Sequence, residues 1–154
     1  MEIAELLNED GIIAHLKVSS KKQALQELAC RAAAITGEPE RQIFDVLLER
    51  ERLGTTGVGR GIAIPHGKLK DMNRLYGVFA RLDTPVDFDA IDDEPVDLIF
   101  LLLAPESAGA DHLKALARVS RLLRDQAVCA KLRGSEDASA IYALLTEPSF
   151  PNAA

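Results

Sequence analysis

The chain has 154 residues, of which 47% are hydrophobic and 27% charged, and its formal net charge at pH 7 is −6. This length and composition are typical of one globular domain with its own core, and the acidic balance argues against nucleic-acid binding through bulk electrostatics. The longest apolar run, 98–104, is too short for membrane insertion, and two isolated cysteines without a secretory leader predict a reduced, cytoplasmic protein with neither a metal centre nor a disulfide framework.

The first third of the chain is predicted to form a short strand and two helices. The strand covers 14–18. Ser20 begins a capping box, the apolar residues behind it recur at helical spacing, and Gly37 is a typical C-terminal stop. Pro39 suits the first turn of a second helix, which we expect to end near Arg52, where a glycine-rich loop follows.

The middle of the chain is predicted to be β-structure. Three apolar runs bounded by Gly, Pro and Asp have the length and composition of strands, namely 61–64, 77–82 and 96–104. The stretch 98–103 is apolar at both odd and even positions, so we expect it to be a central strand that is covered on both faces.

Helices return after these strands. Residues at helical spacing predict the inner face of a third helix, namely Leu113, Leu116, Ala117, Ser120 and Leu123. A short helix is predicted over 127–132, with Gly134 as its stop, and a last helix is predicted to be capped by Ser135. Residues 148–154 are interpreted as a frayed tail. Helices before and after a group of strands predict an α/β sandwich in a single domain.

A glycine-rich loop at 54–61 leads into a short apolar run that ends on His66. Histidine titrates at about pH 6.5, so a neutral nucleophilic nitrogen is readily available. We expect Pro65 to fix the backbone before the ring and Gly67 to leave the approach to the ring unobstructed. Cationic side chains suited to phosphoryl oxygens surround this segment, namely Arg50, Arg52, Arg60 and Lys68. With backbone N–H groups of the loop as further donors, the pattern indicates a histidine that carries phosphate.

Each histidine also has a purely structural interpretation. His66 at a strand end is compatible with a polar residue bonded to backbone, and His112, with Asp111 as a helix cap, is compatible with a solvated first-turn residue. The functional alternative for His112 is a second imidazole that positions the ring of His66 or donates to phosphoryl oxygens, aided by the helix N-terminus. His15 lies in an apolar stretch and is interpreted as structural.

Two other kinds of site do not fit the sequence. The loop 54–61 lacks the Gly-Lys-Ser/Thr ending of a phosphate-binding loop, and it follows a helix and precedes a strand, the reverse of a dinucleotide loop. The acidic cluster at 87–93 lacks the glycine and the terminal glutamate of an EF-hand, so we interpret it as a solvated turn.

The segment 54–68, which ends Ile-Ala-Ile-Pro-His-Gly-Lys, resembles the active-site signature of the enzyme IIA family of the fructose/mannitol class in the bacterial phosphotransferase system. The likeness extends over nearly all of 1–154 and is greatest to the nitrogen-regulatory enzyme IIA. Supporting stretches are 48–54, 88–92, 95–98 and 112–113. The resemblance implies one enzyme IIA domain, with a mixed β-sheet flanked by helices on both faces.

The resemblance also implies roles for individual residues. His66 matches the histidine that is phosphorylated on Nε2 by a small HPr-like phosphocarrier protein, itself charged from phosphoenolpyruvate through enzyme I. His112 matches the second active-site histidine and Arg50 the arginine at the rim, and both are expected to stabilise the phosphoryl group. Arg60 is not part of the motif and receives no role. No cofactor or metal is implied, and an apolar docking surface around His66 is expected to receive the carrier.

Three functions are compatible with these observations. The favoured one is a phosphocarrier that regulates cytosolic partners, such as kinases or transporter regulators, because phosphate on His66 adds a charge of about −1.5 to −2 and changes the local potential. The second is a sugar-specific enzyme IIA that passes phosphate to a IIB domain. The third is a non-enzymatic anion- or protein-binding module in which His66 is structural.

Overall fold

The computed structural model describes residues 1–147 of the chain. The strands are β1 (Ile12–Leu16), β2 (Gly57–Gly59), β3 (Ile62–Ala63), β4 (His66–Leu69), β5 (Tyr76–Val86) and β6 (Val96–Pro105). The α-helices are α1 (Lys21–Thr36), α2 (Glu40–Leu53), α3 (Ala110–Arg124), α4 (Gln126–Arg133) and α5 (Ala138–Thr146). Short 3-10 segments lie at Ile3–Glu5, Glu9–Gly11 and Glu106–Ala108. The predicted tail at 148–154 lies outside the described residues.

One mixed sheet contains these strands in the order β1-β5-β6-β3-β2, with β4 also paired to β6. β5 and β6 form a long antiparallel pair, and β2 is antiparallel to β3. β1 pairs with β5 in parallel, and both β3 and β4 pair with β6 in parallel. The expected mixed sheet is therefore confirmed. The first strand begins and ends two residues earlier than predicted. The strands β2 and β4 were not predicted as separate strands.

The two faces of the sheet are covered by different helices. Along β6, the even-numbered residues of 98–103 belong to a core cluster with α3, α4 and α5, whereas the odd-numbered ones belong to a cluster with α1 and α2. This alternation follows from the two-residue period of a strand. All six side chains are at most 1% exposed. The run 98–103 is thus the doubly covered central strand that its composition predicted, and the α/β sandwich is confirmed.

β3 and β4 lie end to end along the same edge of β6, with a break at Pro65 between them. Ala63 pairs with Ile99, and His66 pairs with Leu102. Pro65 has no N–H to donate, but its carbonyl accepts the N–H of Leu102 at 2.9 Å, so β6 remains paired across the break. His66 therefore begins β4, whereas the sequence predicted it at the end of a strand.

Helix ends follow the capping residues, with two corrections. The Ser20 side chain accepts an N–H of the first turn of α1, and Gly37, with a φ of 80°, ends that helix as predicted. Pro39 is the N-cap of α2 and not a residue of its first turn. α5 is capped by Asp137 and not by Ser135, because the Asp137 carboxylate accepts an N–H of the first turn and complements the helix dipole. Within 1–147, no helix has the length and apolar character needed to cross a membrane.

The predicted inner face of α3 is correct for Leu123 and in part for Leu116, which is partly buried, but the buried face of the helix is rotated from the predicted one. The buried residues are His112, Ala115, Val119 and Leu123. Leu113, which the periodicity placed in the core, is 69% exposed. Both residue sets have helical spacing, and the observed one brings Ala115 and Val119 against the sheet in place of Ala117 and Ser120. Its consequence for the site is that His112 points inward and Leu113 points outward.

Candidate functional site

His66 lies half-buried at the start of β4, and both of its ring nitrogens have partners. Nδ1 is 2.9 Å from the backbone carbonyl oxygen of Ile64. Because a carbonyl oxygen only accepts hydrogen bonds, Nδ1 carries the proton in the neutral ring. Nε2 is therefore unprotonated, and it accepts a hydrogen bond from Nε of Arg50 at 3.3 Å. The geometry leaves Nε2 as the nucleophilic nitrogen.

Arg50 reaches this nitrogen from the last turn of α2. Its guanidinium also donates from NH1 to the carbonyl oxygen of Gly54 at 2.8 Å. The side chain thus joins the glycine loop to the imidazole of His66, and it places a cation at Nε2 of that ring. The sequence predicted Arg50 in this neighbourhood, and the structure brings it into contact with His66.

His112 lies beside His66, with ring centroids 5.7 Å apart and planes inclined by 63°. It is buried, and its Nε2 has no hydrogen-bond partner among residues 1–147. The interpretation of His112 as a solvated first-turn residue with Asp111 as cap is wrong, since Gly109 holds the N-cap position. A buried polar atom without a partner costs about 1–3 kcal/mol, so this nitrogen has unused hydrogen-bonding capacity.

The surroundings favour the neutral form of both rings, because they lower both pKa values. Burial lowers the pKa of His66, and the charge of Arg50 lowers it further, while the bond to Ile64 and the charge of Glu51 act in the opposite direction. Burial also lowers the pKa of His112, followed by the effect of His66 and of Lys68. A neutral His66 is what a nucleophilic nitrogen requires.

The other predicted cations lie differently. Arg52 is exposed at the end of α2, and Lys68 is exposed on β4. Arg60 has a positive φ of 58°, and its backbone donates to Asp92 and accepts from Arg133. These bonds tie the β2–β3 turn to the acidic loop and to α4, so Arg60 has a structural explanation. This agrees with its exclusion from the motif.

The acidic cluster is a turn held by its own carboxylates. Asp87 accepts the N–H of Asp89, and Asp92 accepts those of Arg60 and Glu94. The bonds from Arg60 and Glu94 lower the pKa of Asp92. Within residues 1–147, no group of three or more His, Cys, Asp or Glu side chains is arranged to hold a metal ion.

Gly67 is required for packing between β4 and α2. A Cβ at this position would overlap Cγ1 of Val46, so only glycine allows β4 to approach α2 this closely. This packing role is additional to the expectation that Gly67 leaves the ring unobstructed, which stays a prediction. The position matters for the site because α2 carries Arg50 and β4 carries His66.

Several backbone N–H groups of the glycine loop have partners within the protein, so they do not act as the free donors that the sequence suggested. The N–H of Gly54 donates to the carbonyl of Glu51, that of Thr56 to the Glu51 side chain, and that of Gly57 to the Thr55 hydroxyl. These three N–H groups are committed within the loop and cannot also bind an anion.

The sequence did not lead to a role for Glu51. It is a buried carboxylate that organises the loop after α2. A signal existed, because Ile43, Leu47 and Glu51 recur every four residues and so continue the buried stripe of α2 into a charged position.

A model of the family described as "Phosphoenolpyruvate-dependent sugar phosphotransferase system, EIIA 2" matches residues 5–147. The chain belongs to the EIIA 2 family. The resemblance inferred from the 54–68 segment is thereby confirmed, and the EIIA 2 match includes both His66 and His112.

Similar EIIA 2 relatives are named as nitrogen regulatory proteins. The one from Bradyrhizobium diazoefficiens is 62% identical over 96% of this chain and 97% of its own length, and the one from Escherichia coli K12 is 40% identical over 96% and 91%. The crystal structure of nitrogen regulatory protein IIA-Ntr from Neisseria meningitidis has a TM-score of 0.89 at 35% identity, covering 94% of this chain and 99% of that one. IIA mannitol from E. coli, at 23% identity, covers 90% and 97% with a TM-score of 0.76 and shares the fold.

Proposed function

We propose that this chain is a regulatory phosphocarrier of the cytoplasm, which accepts a phosphoryl group on Nε2 of His66 from a phosphorylated HPr-like protein of the nitrogen branch. The observation that carries the proposal is the bond from Nδ1–H of His66 to the Ile64 carbonyl, since it leaves Nε2 unprotonated. Membership of the EIIA 2 family and the relatives named nitrogen regulatory proteins support the same role.

The chemistry needs only a nitrogen nucleophile and a phosphorylated donor. The lone pair of Nε2 forms the new N–P bond while the N–P bond of the donor breaks and its electron pair stays on the donor nitrogen. His66 keeps its Nδ1 proton, so the phosphorylated ring gains positive character, which the Ile64 carbonyl stabilises. The bonds broken and formed are alike, so positioning and charge stabilisation supply most of the catalysis.

Two side chains are placed to hold the transferred group. Arg50 donates to Nε2 in the free protein and would turn its donors to the phosphoryl oxygens as the N–P bond forms. His112, in its Nε2–H tautomer, would donate to another of these oxygens and so satisfy its unpaired buried nitrogen. These roles of Arg50 and His112 belong to the proposal.

Exposed leucines beside these residues support a docking role for this face. Leu53 is 83% exposed three residues after Arg50, and Leu113 is 69% exposed next to His112. Exposed apolar side chains such as these would receive the carrier protein in a small, short-lived interface. After transfer, the phosphoryl charge of about −1.5 to −2 would change which partners bind this face, and this is the basis of the regulatory output.

One relative supports a second candidate function, which is a role in sugar phosphorylation. The fructose-specific EIIA component of Haloferax volcanii is 44% identical over 68% of this chain. A sugar-pathway role would have phosphorylated His66 pass its phosphate to a IIB domain. Incubating the phosphorylated chain with a IIB domain and following loss of phosphate distinguishes this role from regulation alone.

The acceptor claim is tested by mixing the chain with phosphoenolpyruvate, enzyme I and the HPr-like carrier and measuring its intact mass. We expect one acid-labile phosphoryl group on the native chain and none on His66→Ala. His15→Ala is the matched control, because His15 is exposed on β1, and it should still accept phosphate. Absence of phosphate on the native chain, or its persistence in His66→Ala, would favour the binding-module alternative.

A further inference from the structure

Glu51 is a buried carboxylate that the transfer chemistry does not use. Its side chain is 4% exposed, and it accepts hydrogen bonds from the backbone N–H and the hydroxyl of Thr56. Its other partner is Lys21, whose Nζ lies 2.8 Å from Oε1. A buried carboxylate stays charged only when it is paired in this way. All its partners come from two places, the loop after α2 and the first residue of α1.

A chain of backbone hydrogen bonds connects this carboxylate to the reacting ring. The carbonyl of Thr56 accepts the N–H of Ile64 at 3.0 Å. The carbonyl of the same Ile64 accepts Nδ1–H of His66 at 2.9 Å. Glu51 therefore fixes Thr56, Thr56 fixes Ile64, and Ile64 faces the imidazole.

Lys21 is anchored well enough to act as the fixed counterion. Its ammonium lies 5.0 Å from the centroid of the Phe88 ring and 3.4 Å from the Phe88 carbonyl, and its side chain is 20% exposed. The Thr55 hydroxyl donates to the same Phe88 carbonyl at 2.6 Å. The start of α1, the end of α2 and the loop at Phe88 thus meet at one buried ion pair.

We propose that Glu51, with Lys21 as its counterion, is a positioning residue that sets the Nδ1–H tautomer of His66 through Thr56 and Ile64. Without the carboxylate, the Thr56 donors lose their acceptor and the Ile64 carbonyl is no longer fixed opposite Nδ1. The ring then also populates the Nε2–H tautomer, in which the nucleophilic nitrogen is blocked. The effect on transfer rests on the proposed function, but the effect on the tautomer does not.

The tautomer is read directly from the ¹⁵N shifts of the His66 ring at pH 7.5 in the unphosphorylated chain. We expect a pure Nδ1–H form in the native protein, a mixture in Glu51→Ala and an intermediate result in Glu51→Gln. Glu49→Gln is the matched control, since Glu49 is exposed on the same helix and has no hydrogen bond or ion pair within residues 1–147. It should keep the native tautomer.

The rate of phosphoryl acceptance gives the second readout. We expect Glu51→Ala to lower the maximal rate by about tenfold, as for one lost hydrogen bond to a charged group, with little change in the carrier concentration at half-maximal rate. Lys21→Met should also lower the maximal rate. In a double variant of Lys21→Met and Glu51→Gln, the combined loss of rate should be smaller than the sum of the two single effects in free energy, because the two residues act as a pair.

A folded Glu51→Ala that keeps the pure Nδ1–H tautomer would overturn the proposal. If Glu51→Ala does not fold, Thr56→Val replaces it, because that change removes the hydroxyl donor alone, and Thr56→Ser should restore the native tautomer. A native tautomer in Thr56→Val would then overturn the proposal equally. Failure of the native chain to accept phosphate would overturn the proposed function and leave the tautomer result standing.

Discussion

The Nδ1–H group of His66 donates to the backbone carbonyl of Ile64, two residues earlier in the chain and 2.9 Å away. The direct acceptor of the Nδ1 proton is therefore a main-chain carbonyl and not a carboxylate side chain. Pro65 lies between these two residues, in the break between β3 and β4. Substituting the Ile64 side chain does not remove this acceptor.

Arg50→Lys is expected to slow phosphoryl acceptance by about 10²-fold, since lysine keeps the charge but loses both the Nε–H bond to His66 and the forked geometry. The rate of transfer from the phosphorylated carrier, measured by quench-flow and mass spectrometry, checks this. Arg52→Lys is the control, because Arg52 is exposed on the same helix turn, and it should transfer at the native rate. Equal rates for both variants would remove Arg50 from the proposed mechanism.

His112→Leu is expected to separate stability from function. Leucine removes a buried nitrogen that has no partner within residues 1–147, so the free energy of unfolding should stay unchanged or rise by up to about 1 kcal/mol. Phosphoryl acceptance should fall by about 10²-fold. His15→Leu should show the opposite pattern, because His15 is bonded to Asp83 and to the Glu136 carbonyl. Urea unfolding together with the transfer assay measures both; a strongly destabilised His112→Leu would contradict this assignment.

Stability is expected to fall as the pH drops below about 6.5. The pKa values of His66 and His112 are lowered in the folded chain, so the unfolded chain binds more protons once the pH passes through the ordinary imidazole value of about 6.5. The stability that the two neutral rings contribute is fully present above that pH. It is lost as the pH falls toward their lowered pKa values in the folded chain. Urea unfolding at pH 7.5 and 5.5 should show a smaller loss in the His66→Gln/His112→Gln double variant. An equal loss would show that other groups cause the dependence.

Gly67→Ala is expected to destabilise the fold by about 1–3 kcal/mol, because its Cβ overlaps Val46 and the two elements must separate. Val46→Ala combined with Gly67→Ala should recover part of this loss, since the smaller side chain makes room. Denaturant unfolding of the three variants gives the values. The same separation moves Arg50 away from His66, so the transfer rate of Gly67→Ala should fall and should recover with the second substitution.

The main features of the fold could be predicted because its strongest elements have long and unambiguous patterns. The run 98–103 is apolar at every position, which only a doubly covered strand accommodates in a chain of this composition. Ser20 and Gly37 bracket α1 with capping chemistry that leaves little choice of boundary. The 54–68 signature brought out His66 and led to Arg50, and the structure places the two in contact.

The missed elements have physical reasons. β2 is three residues long and contains two glycines, and β4 begins with polar residues, so each depends on a neighbouring strand and not on its own pattern. For α3, two faces have helical spacing, and only packing against the sheet decides that His112 is buried and Leu113 exposed. Glu51 lies in a run of four charged residues, Glu-Arg-Glu-Arg, which is typical of an exposed helix end. Only its position in the buried stripe of α2 indicates that it is buried.

The central claim is that Nε2 of His66 is the phosphate acceptor, and the atom itself can be observed. The chain labelled with ¹⁵N in its histidine rings is phosphorylated by phosphoenolpyruvate, enzyme I and the carrier, and ³¹P–¹⁵N coupling is recorded at alkaline pH. We predict one coupled nitrogen, Nε2 of His66, with Nδ1 uncoupled and still bonded to the Ile64 carbonyl. Coupling to Nδ1, or to a ring of His112 or His15, would contradict the account.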